Sequence, residues 1–332
     1  MLLLSELVDG QEADMFLLMT AKELLKTRDG KPYYKVSFRD AGREVSFPIW
    51  EDSPLTPLCR NEWEPGKFYK VRARYTETNY GPQLDIHKIR EVTKQDERDG
   101  FDPQMCMPQS RFDPGEMFDE LLSIINERIA DRPLRQLVLD ILTDNREQFM
   151  VFPAASRNHH AYAAGLLEHV LSVTRTCVYL ADKYEDYYPD LQPPLSKNVL
   201  IAGAVLHDIG KLREYDLKPH GAEYSVEGHL VGHVLQGRDI LREAAADSDV
   251  DADTLIRLEH IIVSHQRLPE WGAPKPPMTP EALLVHYADD IDAKFQMMYA
   301  VLRDDEGDGP FTSDRNPMRL KVYRGKPADL TP

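Results

Sequence analysis

His169, His207, His233 and His265, with Asp208 and Asp289, all fall inside apolar segments of helical pattern: GLLEHVLSV, LIAGAVLHDIGKL, GHLVGHVLQG, HIIVSHQ and VHYADDIDAKF. Imidazole and carboxylate groups are costly to bury unless paired, and histidine is seldom fully buried without a partner. A chain carrying them on successive amphipathic helices is constrained to fold those helices around one shared polar centre. The competing arrangement, histidines scattered through an ordinary core, leaves each group with its own desolvation cost. A divalent cation satisfies imidazole and carboxylate together.

The helical pattern is extensive. Residues 116–130 are amphipathic, and Asp131 with Pro133 supplies a cap and a first-turn proline for a second helix through about Phe149. Further helices are predicted over 160–184, 196–207, 228–246, 253–265 and 279–303, the last opened by Thr279-Pro280-Glu281. After Asp304 a Gly-Asp-Gly-Pro run and alternating charges predict an irregular tail.

The N-terminal third has another texture. FLLMTAKEL, KPYYKVSFRD, REVSFPIW, KFYKVRARYT and PQLDIHKIREV are short β-prone runs. They are separated by turn signals at Arg28-Asp29-Gly30, Asp40-Ala41-Gly42, Pro65-Gly66 and Tyr80-Gly81-Pro82. Five strands in so short a span predict a small β-barrel, an OB-fold. In the second run Tyr34, Val36 and Phe38 alternate onto a core face, and Tyr33, Lys35, Ser37 and Arg39 onto the other. Rings that stack on bases, interleaved with cations that take phosphates, are how OB-folds hold single strands, which makes Tyr33, Lys35, Arg39, Trp50, Arg72, Arg74 and Tyr80 the candidate nucleic-acid contacts. The same composition also suits an ordinary solvated strand face. The predicted organisation is an OB-fold nucleic-acid-binding domain over 1–95, a linker rich in Asp, Pro, Gln and Met over 96–115, an all-α domain over 116–303 and the tail over 304–332.

A formal net charge of −16 argues against a polyanionic partner, because phosphate neutralisation dominates nucleic-acid binding. Its distribution answers the objection. Residues 11–94 hold fifteen Lys and Arg against thirteen Asp and Glu, so the excess acid lies elsewhere. Cys59, Cys106 and Cys177 show no paired spacing, which suggests neither a disulfide framework nor a thiolate zinc site. Ser5 and Glu6 cut short the apolar start, and no apolar run is long enough to span a bilayer, so a cytoplasmic protein without a membrane partner is expected.

The order His, His-Asp, distal Asp resembles the HD superfamily of metal-dependent phosphohydrolases. NHHAYAAGLLEHVLSV, HDIGKLREY, EGHLVGHVLQG, SHQRLPEWGAPKPPM and HYADDIDAKFQMM, between Asn158 and Met298, are together similar to the YhaM-type 3′→5′ exoribonucleases. Those proteins also carry an OB-like module ahead of the HD domain, to which GKPYYKVSFRD, FPIW and residues 67–90 are similar. The resemblance implies a first metal site of His169, His207, Asp208 and Asp289, with Asp208 able to bridge to a second site completed by His233 and His265. It departs at Gln266, where related sequences tend to carry a histidine, leaving the second site one imidazole fewer.

Imidazole and carboxylate without thiolate suit Mn²⁺, Fe²⁺, Co²⁺ or Zn²⁺, and the resemblance implies Mn²⁺, one or two ions per chain. Asp208, Lys211 and His160 are the candidate catalytic residues. Lys211 is placed to pair with a phosphate oxygen, although a lysine near a helix end is equally explained by the helix dipole. His160 is a candidate substrate contact, and His229, one helical turn from His233, is a reserve ligand. The implied activity is hydrolysis of single-stranded RNA from the 3′ end to nucleoside monophosphates, with single-stranded DNA left open as a second substrate and a homo-oligomer compatible. Two other readings stay open: an HD phosphohydrolase acting on a small nucleotide, and a non-catalytic single-strand-binding protein.

Overall fold

Alternating apolar and polar residues carry the N-terminal third into β1 (Glu12–Lys26), β2 (Pro32–Arg39), β3 (Glu44–Trp50), β4 (Phe68–Thr78) and β5 (Gly81–Glu91). In this computed structural model, which describes residues 2–78, 81–155, 160–218, 221–305, 307 and 309–325, the strands are antiparallel in the order β3-β2-β1-β4-β5. Contact between β3 and β5 closes the circuit, the strand order of an OB-fold. β1 serves both halves of the barrel, pairing with β4 through Leu18 and with β2 from Leu18 onward, and a bulge between Met19 and Ala21 lets it bend. Val36, Phe38, Val45, Phe47 and Val71 fill the interior, and α1 (Thr56–Asn61), between β3 and β4, adds Cys59, with Trp63 just beyond it.

The segment predicted as a linker is not one throughout. Met15 to Met19 of β1 are all buried, so the strand is covered on both faces. The outer cover comes from the segment of α2 (Lys94–Arg98) and the turn Pro103–Cys106, where Phe101, between the two, and Cys106 pack with Phe16 and Leu18. Residues Met1–Gln109, with Lys218–Gly221, accordingly form one compact unit, and Ser110–Leu217 with Ala222–Pro332 the other. Proline and glutamine gave the segment a loop-like composition, but two apolar side chains suffice to dock it. Asp96 holds it in register: its buried carboxylate accepts hydrogen bonds from Arg90 (2.6 and 2.7 Å), Lys70 (3.3 Å) and the Thr93 amide (2.9 Å).

The second unit is helical: α3 (Pro114–Arg128), α4 (Arg132–Asp144), α5 (Arg146–Phe149), α6 (Gly165–Tyr187), α7 (Lys197–Leu206), α8 (Lys211–Glu214), α9 (Val226–Leu230), α10 (His233–Ala245), α11 (Ala252–Ser264) and α12 (Pro280–Asp304). Side chains of Asp113, Asp131, Ser196, Asp251 and Thr279 cap α3, α4, α7, α11 and α12, each satisfying amides that a helix start leaves open. α7 is buried at every position from Val199 to Leu206, which is why it reads as apolar all round, and α6, α11 and α12 pack against it. Glu281, fully buried, accepts from the Ser196 amide (2.8 Å) and the Arg257 guanidinium (2.6 Å), tying the starts of α7 and α12 to α11.

Three helix boundaries differ from the sequence pattern. The predicted helix at 160–184 begins only at Gly165, because His160 and Ala164 take positive φ (48° and 60°). The one at 131–149 breaks at Asn145 into α4 and α5, and the one at 228–246 breaks at Gly232, with φ 77°, into α9 and α10. A small sheet of β6 (Tyr215–Lys218) and β7 (Gly221–Tyr224) has no counterpart among the predicted elements. No helix among the described residues is long and apolar enough to cross a membrane.

Arg90, with the Thr93 amide and Lys70, holds the Asp96 carboxyl well below its ordinary range, so its contribution to stability is complete above the unfolded value of 3.8 and fades as pH falls below it. Asp96→Asn should therefore lower the melting temperature by several degrees at neutral pH, and the gap from the parent protein should close in melts taken below about pH 4.

Candidate metal centre

Four helix ends and two helix faces converge on Asp208. His207 follows the last residue of α7 and His265 the last of α11, and each donates Nδ1–H to the carbonyl three residues back, Ala204 (2.8 Å) and Ile262 (2.7 Å). These bonds satisfy carbonyls left over at a helix C-terminus and fix the tautomer, so that Nε2 of both rings presents a lone pair inward. His169, on α6, donates Nδ1–H to Asp292 on α12 (2.7 Å), and His233, the first residue of α10, donates Nδ1–H to Glu214 (2.9 Å). All four imidazoles are thus oriented from behind by the same device.

The inward atoms form two sets. Nε2 of His169 lies 3.2 Å from Asp289 Oδ1 and 3.3 Å from Nε2 of His207. Asp208 Oδ2 faces this set, 3.5 Å from His169 and 3.6 Å from His207. Asp208 Oδ1 faces the other, 3.5 Å from Nε2 of both His233 and His265. The approach of α10 depends on Gly210, where a Cβ would overlap the His233 carbonyl.

The fit to a cation can be tested on these atoms. Asp208 Oδ1 and His233 Nε2 are buried with no hydrogen-bond partner among the described residues, and each is aimed at the shared space. Orphaned polar atoms of this kind are rare in folded proteins. Burial opposes charge on His169, yet hydrogen bonds to Asp289 and Asp292 outweigh it and raise the imidazole pKa to about 9. Burial, helped by the neighbouring imidazoles of His265 and His169, drives His207 down to about 4 against the pull of Asp208 and Asp289. Burial also opposes charge on Asp208, but Lys211 and His207 overcome it and hold the carboxyl well below its ordinary range. A site this rich in stabilised carboxylate and inward lone pairs calls for positive charge, and the donors, imidazole and carboxylate without thiolate, suit a divalent transition ion.

The structure brings together His169, His207, Asp208, His233, His265 and Asp289. Lys211 is buried with Nζ 2.6 Å from Asp208 Oδ2, and since it opens α8 rather than closing a helix, dipole complementarity does not explain it. Gln266 points its amide nitrogen at His265 Nε2 (3.1 Å). His160 differs from expectation: it is 3% exposed, with ring nitrogens on Tyr162 Oη (2.7 Å) and Asp292 Oδ2 (2.9 Å), so it braces the residue behind His169 instead of facing substrate. His229 does not reach the centre either, because the break at Gly232 turns α9 away and leaves that ring exposed against Tyr224. His159 and His220 lie outside the described residues. Asp292 and Glu214 were missed, though the signal was present: each stands three residues after a named site residue, Asp289 or Lys211, and so falls on the same helix face.

On the barrel the candidate contacts divide. Tyr33 and Trp50 are cross-strand partners with ring centroids 5.0 Å apart, Trp50 being half exposed, and Lys35 is exposed beside them. Arg72 forms a two-bond pair with Asp14, and Arg74 pairs with Glu12 (3.2 Å), both carboxylates lying across the strand on β1. Arg39 is part-buried and donates to Met107 Sδ (3.3 Å), beneath the segment that covers β1. Tyr80 lies outside the described residues.

The helical unit is an HD domain, the class whose histidines and aspartates hold divalent metal ions, and residues 166–294 match the HD domain family. Over 291 residues the chain is 30% identical to the 3′-5′ exoribonuclease YhaM of Bacillus subtilis (strain 168), covering 87% of each chain. Over 303 residues it is 28% identical to the 3′-5′ exoribonuclease YhaM of Bacillus licheniformis, again covering 87% of each. The chain belongs to the YhaM family of 3′-5′ exoribonucleases. Among solved structures, the second OB-fold domain of replication protein A from Methanococcus maripaludis aligns with 27% of this chain and 93% of its own, at 17% identity and a TM-score of 0.21.

Partners that orient metal ligands typically contribute 10–100-fold to metal affinity. Asp292→Asn should accordingly raise the Mn²⁺ concentration needed for half-maximal activity by roughly 10–100-fold while leaving the helical circular dichroism intact. An unchanged metal titration in the folded variant would show that Asp292 does not orient a ligand.

Proposed function

We propose that this chain is a metal-dependent 3′→5′ exoribonuclease that removes nucleoside monophosphates from single-stranded RNA in the cytoplasm. The observation that carries the reading is the convergence of two histidine pairs on the two oxygens of Asp208, in a chain related along most of its length to YhaM exoribonucleases. Mn²⁺ is the proposed ion, which His169, His207, Asp208 and Asp289 would hold, and His233 and His265 with Asp208 would hold a second. When bound, such ions lower the pKa of water and neutralise charge that develops on a phosphodiester.

The chain's own residues do the rest. Asp208 is proposed to keep both sets in register, and Lys211, pinned to it at 2.6 Å, adds a fixed positive charge at the edge of the cleft. The cleft, about 90 Å³ and open on one side, has room for a phosphate group beside Lys211. On the barrel, the Tyr33–Trp50 pair, with Trp50 half exposed and Lys35 exposed beside it, is the proposed grip on the single strand. Absence of a membrane-crossing helix among the described residues and three buried free cysteines support a cytoplasmic setting.

A single-stranded RNA labelled at its 5′ end and incubated with Mn²⁺ should yield a ladder of progressively shorter labelled strands, and folded Asp208→Ala protein should yield none. Early release of a labelled mononucleotide would reverse the polarity, and a pattern of internal cuts would remove the exonuclease reading. Joint Tyr33→Ala and Trp50→Ala substitution should raise the KM for long strands about tenfold, with much less effect on very short ones.

A further inference from the structure

The cleft beside the histidine pairs is lined not only by Lys211, His265, Gln266 and Asp289 but also by Trp271. This indole is 50% exposed, an unusual condition for so large an apolar ring, yet its backbone is firmly held. Trp271 ends a short 3-10 turn whose amides bond back in succession: Trp271 to the Leu268 carbonyl (2.9 Å), Gly272 to Pro269 (3.0 Å) and Ala273 to Leu268 (3.2 Å). Gly272 takes the left-handed φ of 97° that the turn needs, and Ala273, only 3% exposed, anchors the far side. The ring is therefore displayed on a hydrogen-bonded turn anchored by the buried Ala273.

Arg267 stands at the start of the same turn with φ 63°, a strained conformation for a residue bearing a Cβ. Its guanidinium donates to Tyr287 Oη (3.3 Å) and lies over that ring, 5.9 Å from the centroid. It meets no carboxylate among the described residues, unlike Arg72 and Arg74 on the barrel. An exposed indole thus lines the cleft beside the histidine pairs, and a cation without a carboxylate stands two residues past His265 at the start of the same turn. Core packing explains neither, whereas rings that stack on bases beside cations that take phosphates are the general means of holding single strands.

We propose that Trp271 stacks on the base of the 3′-terminal nucleotide and that Arg267 takes an adjacent phosphate, giving the HD domain its own receptor for the strand end. The inference deepens the exoribonuclease reading and rests on it. Because every base has a stacking face, the receptor takes all four bases and requires only that a base be present.

The test uses the full chain and two short RNA strands, one ending in a normal 3′ nucleotide and one ending in an abasic ribose. Trp271→Ala should raise KM for the normal strand roughly 5- to 100-fold, and Trp271→Phe should restore most of the loss. On the abasic-ended strand, wild type and Trp271→Ala should run alike. Equal KM values on the normal strand, or the same loss on both strands, would overturn the stacking role, the second result marking a structural effect. Arg267→Gln should reduce the slope of log KM against log salt by about 0.7, and an unchanged slope would overturn its phosphate contact. Should wild type leave every RNA strand intact, the exoribonuclease reading fails separately. Trp271 is then judged by fluorescence anisotropy of a labelled normal strand, where equal affinities for wild type and Trp271→Ala overturn the proposal and a weaker variant supports it.

Discussion

One carboxylate organises the helical unit. Asp208 is 1% exposed at the end of the most deeply buried helix, and its two oxygens face two separate pairs of imidazoles. An ionised carboxylate without partners costs several kcal/mol to bury, so this position is tolerable only if cationic and polar groups are brought to it from several directions. The surrounding architecture meets that requirement. α7 is apolar on all sides because it must deliver Asp208 to the centre, α6 and α12 supply His169 and Asp289, and α11 ends so that His265 closes the far side. Gly210 admits the start of α10, and with it His233.

The layer behind the candidate ligands is as regular as the candidate ligands themselves. Each of the four imidazoles gives its Nδ1 proton to a carbonyl or carboxylate, so each is fixed in one tautomer with Nε2 turned inward. His160 belongs to this layer, which accounts for its burial and for the positive φ at which it is held. The barrel has a different economy of charge. Asp14 and Glu12 on β1 pair with the outward arginines of β4, while Trp50 on β3 stays half exposed beside the partly covered Tyr33 on β2. The proposed grip would rest more on stacking than on phosphate neutralisation, which is compatible with a chain of net charge −16.

Much of this was legible because the relevant signals are local. Strands and helices announced themselves by period, Asp131 and Thr279 sat where caps belong, and histidines in apolar segments pointed to a common centre. What escaped was set by long-range contact. Residues 96–109 read as a linker because nothing in their composition says that Phe101 and Cys106 have an apolar strand face to cover. Helix breaks at Gly232 and before Gly165 were hidden because apolar spacing continues across them. His229 was misplaced for the same reason, and the roles of Asp292 and Glu214 emerge only when α12 meets α6 and α8 meets α10.

The central claim is that Asp208 joins two cation sites, and anomalous diffraction from crystals grown with Mn²⁺ addresses it directly. Two peaks are expected, one among His169, His207 and Asp289 and one between His233 and His265, with a different oxygen of Asp208 turned toward each. A single peak that leaves His233 and His265 without an ion, or peaks that do not touch Asp208, would contradict it.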